Sequence, residues 1–184
     1  MIIEEKTLSS ERLYEGKILN LRRDKVTVKD GRVSYREIVE HSGGVIILGV
    51  TPEGRIPMIR QYRKAAGQVM FELPAGKLEK GEDPAEAAVR ELREETGYIA
   101  GSIRKAAAFY PTVGYSEEIL HVFFAGDLTA GSMDLDENES IDVEEYTPEA
   151  LYSLIDAGDM NDGKTILALL LYRNCVTSTV AFIK

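Results

Sequence analysis

The chain has 184 residues, 44% of them hydrophobic and 29% charged, with a net charge of −9; this is one globular domain, or one domain with a small appendage. A single cysteine (Cys175) and two histidines (His41, His121) exclude an internal disulfide, a multi-cysteine zinc site and a histidine-rich metal centre. The acidic balance argues against nonspecific nucleic-acid binding. The polar N-terminus and the lack of any apolar run of roughly 18 residues predict no secretory leader and no membrane span, hence a cytoplasmic protein.

Residues 17–29 and 32–41 read as strands about Lys29-Asp30-Gly31-Arg32, since Asp-Gly is a hairpin signal. The run Val45 to Val50 is a buried strand, followed by the turn Thr51-Pro52-Glu53-Gly54. Strands are expected at Ile56 to Arg63 and Val69 to Leu73. Pro74-Ala75-Gly76 breaks the pattern and opens a loop to Gly81. Asp83 is a helix N-cap, Pro84 a first helical residue, Glu86 completes a capping-box variant, and Gly97 sits at a helix C-terminus, which predicts a helix over 84–96. Strands follow at 103–110, 119–125 and 141–146, then helices at 148–157 and 165–173; the tail from Val176 fits either type. Strands outnumber helices and do not alternate with them, so the fold class is α+β rather than a doubly wound parallel sheet.

Charge is unevenly placed. Residues 106–163 hold 14 acidic side chains and no Lys or Arg, leaving 22 basic and 17 acidic residues elsewhere. A solvated surface and carboxylates that hold hard cations both fit. On the helix 84–96, Ala85, Ala88, Val89, Leu92 and Thr96 form the expected buried stripe. Glu91, Glu94 and Glu95 stand at i, i+3 and i+4 on another face, where like charges repel and Arg90 can pair with Glu94. A solvated acidic face is one reading. The other is that a cation compensates charge placed at the wrong end of the helix dipole; oxygen-only ligands suit Mg²⁺ or Mn²⁺.

Gly76-x5-Glu82-x7-Arg90-Glu91-Leu92-x-Glu94-Glu95-x-Gly97-Tyr98 resembles a complete Nudix box, matching at all nine defined positions across 23 residues. Arg60-Gln61-Tyr62-Arg63, Glu72-Leu73-Pro74-Ala75-Gly76, Asp136-Glu137-Asn138-Glu139 and the segment ending Arg36-Glu37-Ile38-Val39-Glu40-His41 resemble the ADP-ribose pyrophosphatase branch of that family. The resemblance implies a mixed sheet between helices, with an N-terminal antiparallel sheet (1–41) for dimerisation and a catalytic domain (42–184). It implies Mg²⁺- or Mn²⁺-dependent hydrolysis of ADP-ribose to AMP and ribose 5-phosphate by a homodimer that exchanges its N-terminal sheet. Glu91, Glu94, Glu95 and the Ala75 carbonyl match metal ligands; Arg90 and Glu94 match the catalytic box, and Glu139 the catalytic base. Ile18, Arg36, Glu37, Arg63, Glu72, Thr112, Gly114 and Glu118 match substrate-binding positions, although Thr112 and Val113 replace the usual Ser-Pro. Hydrolysis of another nucleoside diphosphate sugar such as GDP-mannose, and noncatalytic nucleotide sensing, are the alternatives.

Gly158-x4-Gly163-Lys164-Thr165 fits a phosphate-binding loop pattern, but it follows an expected helix rather than a strand, and Asp159 and Asp162 would face the phosphates. It reads instead as a helix stop and the cap of the last helix.

Overall fold

In the computed structural model, which describes residues 2–135, 137 and 139–177, the chain begins with an antiparallel sheet of β1 (Lys6–Glu15), β2 (Asn20–Thr27) and β3 (Val33–Glu40), in that order. Sequence reasoning misses β1, because its ten residues are exposed along their whole length and show no alternation; the strand expected from 17 starts at Asn20. The β2–β3 hairpin forms as expected, with Thr27 opposite Val33 and with Asp30 and Gly31 both at positive φ, as its tight turn requires.

The remaining elements are β4 (Gly44–Gly49), β5 (Ile56–Arg63), β6 (Gln68–Glu72), β7 (Ala75–Lys77), α1 (Pro84–Thr96), β8 (Tyr98–Ile99), β9 (Ser102–Phe109), β10 (Leu120–Gly126), β11 (Thr129–Ala130), β12 (Ile141–Tyr146), α2 (Pro148–Ala157) and α3 (Gly163–Thr177). The loop expected after Leu73 contains β7, which pairs antiparallel with β4. The last helix runs longer than the expected 165–173, to Thr177; the tail beyond it lies outside the described residues.

The described residues cluster into two units, those within 1–43 and 109–120 in one and those within 44–108 and 121–184 in the other. In the first, Val39 donates its N–H to Tyr115 O at 2.7 Å and accepts from Glu117 N–H at 3.1 Å, which ties the 109–120 segment to β3. Leu8, Leu13, Tyr14, Ile18, Leu19, Val33 and Tyr35 of this unit are exposed.

In the second unit, the sheet β7-β4-β10-β9 stands beside the sheet β12-β5-β6 and the ribbon β11-β8. Every residue of β4 is buried. Val45 and Ile47 pack with Ala87, Ala88 and Leu92 of α1 and with Phe123, Ala125 and Leu128. Side chains alternate along a strand, so Ile46 and Leu48 point the other way, and α3 also packs on β4. The sheet is therefore sandwiched between helices, an α+β architecture as expected. No described helix is long and apolar enough to cross a membrane.

Candidate active site

Helix α1 begins where its sequence signals place it. Asp83 Oδ1 accepts the N–H groups of Ala85 (2.8 Å) and Glu86 (3.4 Å), and Gly97 closes the helix by donating to Arg93 O at 2.8 Å. Its buried stripe differs from the expectation. Ala87, Ala88, Leu92, Glu95 and Thr96 are buried, while Ala85 and Val89 are half-buried. Glu95, expected on a solvent-facing stripe, is 3% exposed. It is held there by the Ala75 N–H, which donates to Glu95 Oε2 at 2.8 Å.

Arg90 organises the rest. Its Nη1 donates to Glu91 Oε1 (2.8 Å) and, one turn on, to Glu94 Oε2 (3.0 Å). Its Nε and Nη2 fork onto the two oxygens of Glu82, at 2.9 and 3.0 Å. One guanidinium thus gathers three carboxylates of the box. Gly76 lies directly over Glu91, and a Cβ there would sit 1.9 Å from Glu91 Cδ.

The carboxylates are short of positive charge. Burial pushes the Glu95 carboxyl up to about 8, against the Ala75 N–H that favours its anion; the charges of Glu91 and Glu139 add to the rise. Burial also raises Glu91, opposed by Arg90 and reinforced by Glu94 and Glu139. The charge of Glu139, from an exposed position before β12, therefore reaches both glutamates. Among the described residues no three His, Cys, Asp or Glu side chains are already gathered as a metal cluster. The bonds account for this: Glu91 and Glu94 are drawn to Arg90, and Glu95 to the Ala75 N–H. Oxygen donors whose proton affinity is raised by mutual repulsion and burial suit a hard divalent cation, so the residues present fit one. At Ala75 the observed contact is its N–H on Glu95, which puts the Ala75 backbone beside that carboxylate.

Arg63, on β5, donates Nε to Glu72 Oε1 (2.8 Å) and Nη2 to Oε2 (3.1 Å). Glu72 is 1% exposed at the end of β6. Burial alone would raise its carboxyl, but Arg63 and Lys164 together outweigh burial and hold it below the usual range. The charges of Arg63 and Glu95 act on one another, which relates this pair to the box. Lys164 and Asp162 join this pair, and in the sequence they show only as part of the phosphate-loop-like pattern.

The other expected substrate residues belong to the first unit. Arg36 is bonded to Glu5 and donates to Tyr35 O at 2.9 Å, and Glu37 stands opposite Arg23. Ile18 is exposed in the β1–β2 turn, beyond the Asn20–Glu40 pair, whereas Arg36 faces Asp24. Those two pairs are four residues apart along β2, or roughly 13 Å, so a single chain does not bring Ile18 and Arg36 together. Thr112 O accepts from Ser116 N–H at 3.2 Å, Gly114 is exposed, and Glu118 Oε1 lies 3.4 Å from His41 Nδ1.

A loop-helix-loop whose arginine gathers box glutamates above an obligatory glycine marks a Nudix-type site. Residues 40–169 match the NUDIX domain model, and residues 5–39 match the model of the nucleoside diphosphate sugar hydrolase N-terminal domain. The chain belongs to the Nudix family. It is 44% identical over 169 residues to an ADP-ribose pyrophosphatase of Bacillus subtilis (strain 168), covering 91% of each. It is 39% identical over 170 residues to a methanol dehydrogenase activator of Bacillus methanolicus, covering 91% of this chain and 92% of that one. A GDP-mannose pyrophosphatase of Escherichia coli (strain K12) is 34% identical over 157 residues, covering 78% and 81%. The crystal structure of an ADP compounds hydrolase superimposes with a TM-score of 0.85 over 96% of both chains at 21% identity, a likeness of fold.

Proposed function

We propose that this chain is a divalent-metal-dependent Nudix hydrolase that cleaves the diphosphate of ADP-ribose to AMP and ribose 5-phosphate. The observation that carries this is the intact box, in which Arg90 holds Glu91 and Glu94 and burial raises the carboxyls of Glu91 and Glu95. The substrate reading is supported by 44% identity to an ADP-ribose pyrophosphatase across 91% of the chain. Glu91, Glu94, Glu95 and the Ala75 backbone would hold Mg²⁺ or Mn²⁺, which when bound neutralises diphosphate charge and lowers the pKa of water.

Within the chain, Arg90 aligns Glu91 and Glu94 and keeps them from swinging into solvent. Arg63, fixed by Glu72, offers its remaining guanidinium edge to a phosphate. Glu139 takes the proton of the attacking water. Ile18, Arg36 and Glu37 of one subunit and Thr112, Gly114 and Glu118 enclose the nucleoside and the terminal ribose. The active form is a homodimer whose N-terminal sheet crosses to the partner, and the protein works in the cytoplasm. The test is a panel of ADP-ribose, GDP-mannose and other nucleoside diphosphate compounds with product identification and Mg²⁺ titration. Preferred release of AMP and ribose 5-phosphate supports the reading; preference for GDP-mannose, or binding without turnover, overturns it.

A further inference from the structure

The phosphate-loop-like segment turns its side chains inward, onto the end of β6. Thr165 is fully buried, and its Oγ1 accepts the Leu73 N–H at 2.8 Å. Thr165 N–H donates to Asp162 Oδ2 at 3.1 Å. Lys164 Nζ donates to that same oxygen at 2.9 Å and also to Glu72 Oε2, which Arg63 shares. Pro74 O accepts the Ile47 N–H at 2.9 Å, and Ala75 N–H holds Glu95 Oε2. Residues 72–75 are thus fastened by α3 at one end and end on the box carboxylate at the other.

We infer that Lys164 and Thr165 are positioning residues: from the first turn of α3 they fix the 72–75 segment and, through it, the charge and direction of Arg63 and the place of Glu95. The inference builds on the diphosphate hydrolase reading above. The two residues act differently. Arg63, Lys164, Glu72 and Asp162 sum to zero charge. Without Lys164 the group is left with one unbalanced negative charge beside Arg63, where an anionic diphosphate would dock. Thr165 carries no charge, but its hydroxyl is the acceptor of a buried N–H. Removing it frees Leu73, and with Leu73 the Ala75–Glu95 contact.

The test compares Lys164→Met and Thr165→Val with the conservative variants Lys164→Arg and Thr165→Ser. It reads kcat and KM on whichever nucleoside diphosphate compound the wild type turns over, Mn²⁺ binding by calorimetry, and amide exchange at Leu73 and Ala75 in metal-free protein. Lys164→Met should raise KM about tenfold with kcat little changed, the size expected of one lost nearby charge, and Lys164→Arg should restore most of it. Thr165→Val should speed exchange at Leu73 and Ala75, weaken Mn²⁺ binding and lower kcat, while Thr165→Ser should resemble the wild type. Should Thr165→Val not fold, the KM of Lys164→Met decides. Variants that lose thermal stability yet keep wild-type KM, kcat, Mn²⁺ affinity and exchange overturn the inference, because both residues then serve only the fold. A wild type that hydrolyses no nucleoside diphosphate compound defeats the functional reading instead, and exchange and Mn²⁺ binding still decide the positioning role.

Discussion

Gly76 has no room for a methyl group. A Cβ at this position would lie 1.9 Å from Glu91 Cδ and 2.0 and 2.2 Å from its two oxygens. Nonbonded contact needs about 3.5 Å, so in Gly76→Ala the carboxylate must retreat by about 1.5 Å. That move breaks its 2.8 Å bond from Arg90 Nη1, while Arg90 keeps Glu82 and Glu94. A lost charge-assisted bond costs about 1.5–3 kcal/mol. Gly76 is not among the positive-φ glycines, so alanine adds no backbone strain there and recovers about 0.4–1 kcal/mol from the unfolded state. The net loss of about 1–2 kcal/mol should lower Tm by only a few degrees in a chain of this size. Activity should suffer far more, since Glu91 is a proposed metal ligand, and misplacing such a group by an ångström or more costs about 10²-fold or greater. Thermal melting and steady-state kcat/KM, measured side by side, check this. A variant that retains kcat/KM within about threefold, against the hundredfold expected, would refute the claim that Gly76 is there to seat Glu91.

Glu91→Gln should abolish turnover with the fold intact; near wild-type turnover at ordinary Mg²⁺ would remove Glu91 from the ligand set. Glu139→Gln should cut kcat by roughly 10²–10⁴ with Mg²⁺ and substrate affinity unchanged, and a drop below about fivefold would shift the base to Glu137, Glu117 or Glu118. Glu72 has a folded pKa held below its ordinary 4.5, so its contribution to stability is present above that pH and is lost as pH falls through the folded value. Melting of Glu72→Gln should accordingly trail the wild type near neutrality and converge with it on acidification; a gap that stays constant with pH would contradict the ion-pair account. The exposed apolar side chains of the N-terminal sheet, from Leu8 to Tyr35, should be covered by a second copy, giving a dimer in sedimentation at micromolar concentration; a fully active monomer would count against it.

Local signals served well where they act within a few residues. Asp83, Pro84 and Gly97 define α1 to the residue, and Asp30-Gly31 places the hairpin. Pattern reading failed where burial is absent or is decided by distant partners. Strand β1 presents no buried face, so no alternation betrays it. Lys164 looks like a phosphate ligand by spacing, and only the docking of the start of α3 on the end of β6, through the Thr165–Leu73 bond, reveals Glu72 as its partner, 92 positions away. Ile18 and Arg36 match substrate positions by resemblance, but the hairpin register separates them within one chain, and a resemblance read residue by residue does not report that separation.

Glu95 shows why the box in particular resists reading by periodicity. A glutamate on an amphipathic helix is assigned to water because burying a bare carboxylate is costly. Here the cost is met locally: β7 runs antiparallel to β4 and turns the Ala75 N–H onto Glu95 Oε2, while Ala87 and Ala88 of the same helix are buried in the core. The stripe facing the core is consequently rotated from Ala85 and Val89 towards Ala87 and Glu95. The same rotation sets Glu91 under Gly76 and leaves Arg90 on the rim, able to reach Glu82, Glu91 and Glu94 at once. An aliphatic residue at 95 would satisfy the packing, but it would leave the Ala75 N–H without this acceptor and the site without its most proton-avid carboxyl. Glu95 therefore belongs to the core by burial and to the site by charge, and a pattern that assigns each residue one face cannot represent both.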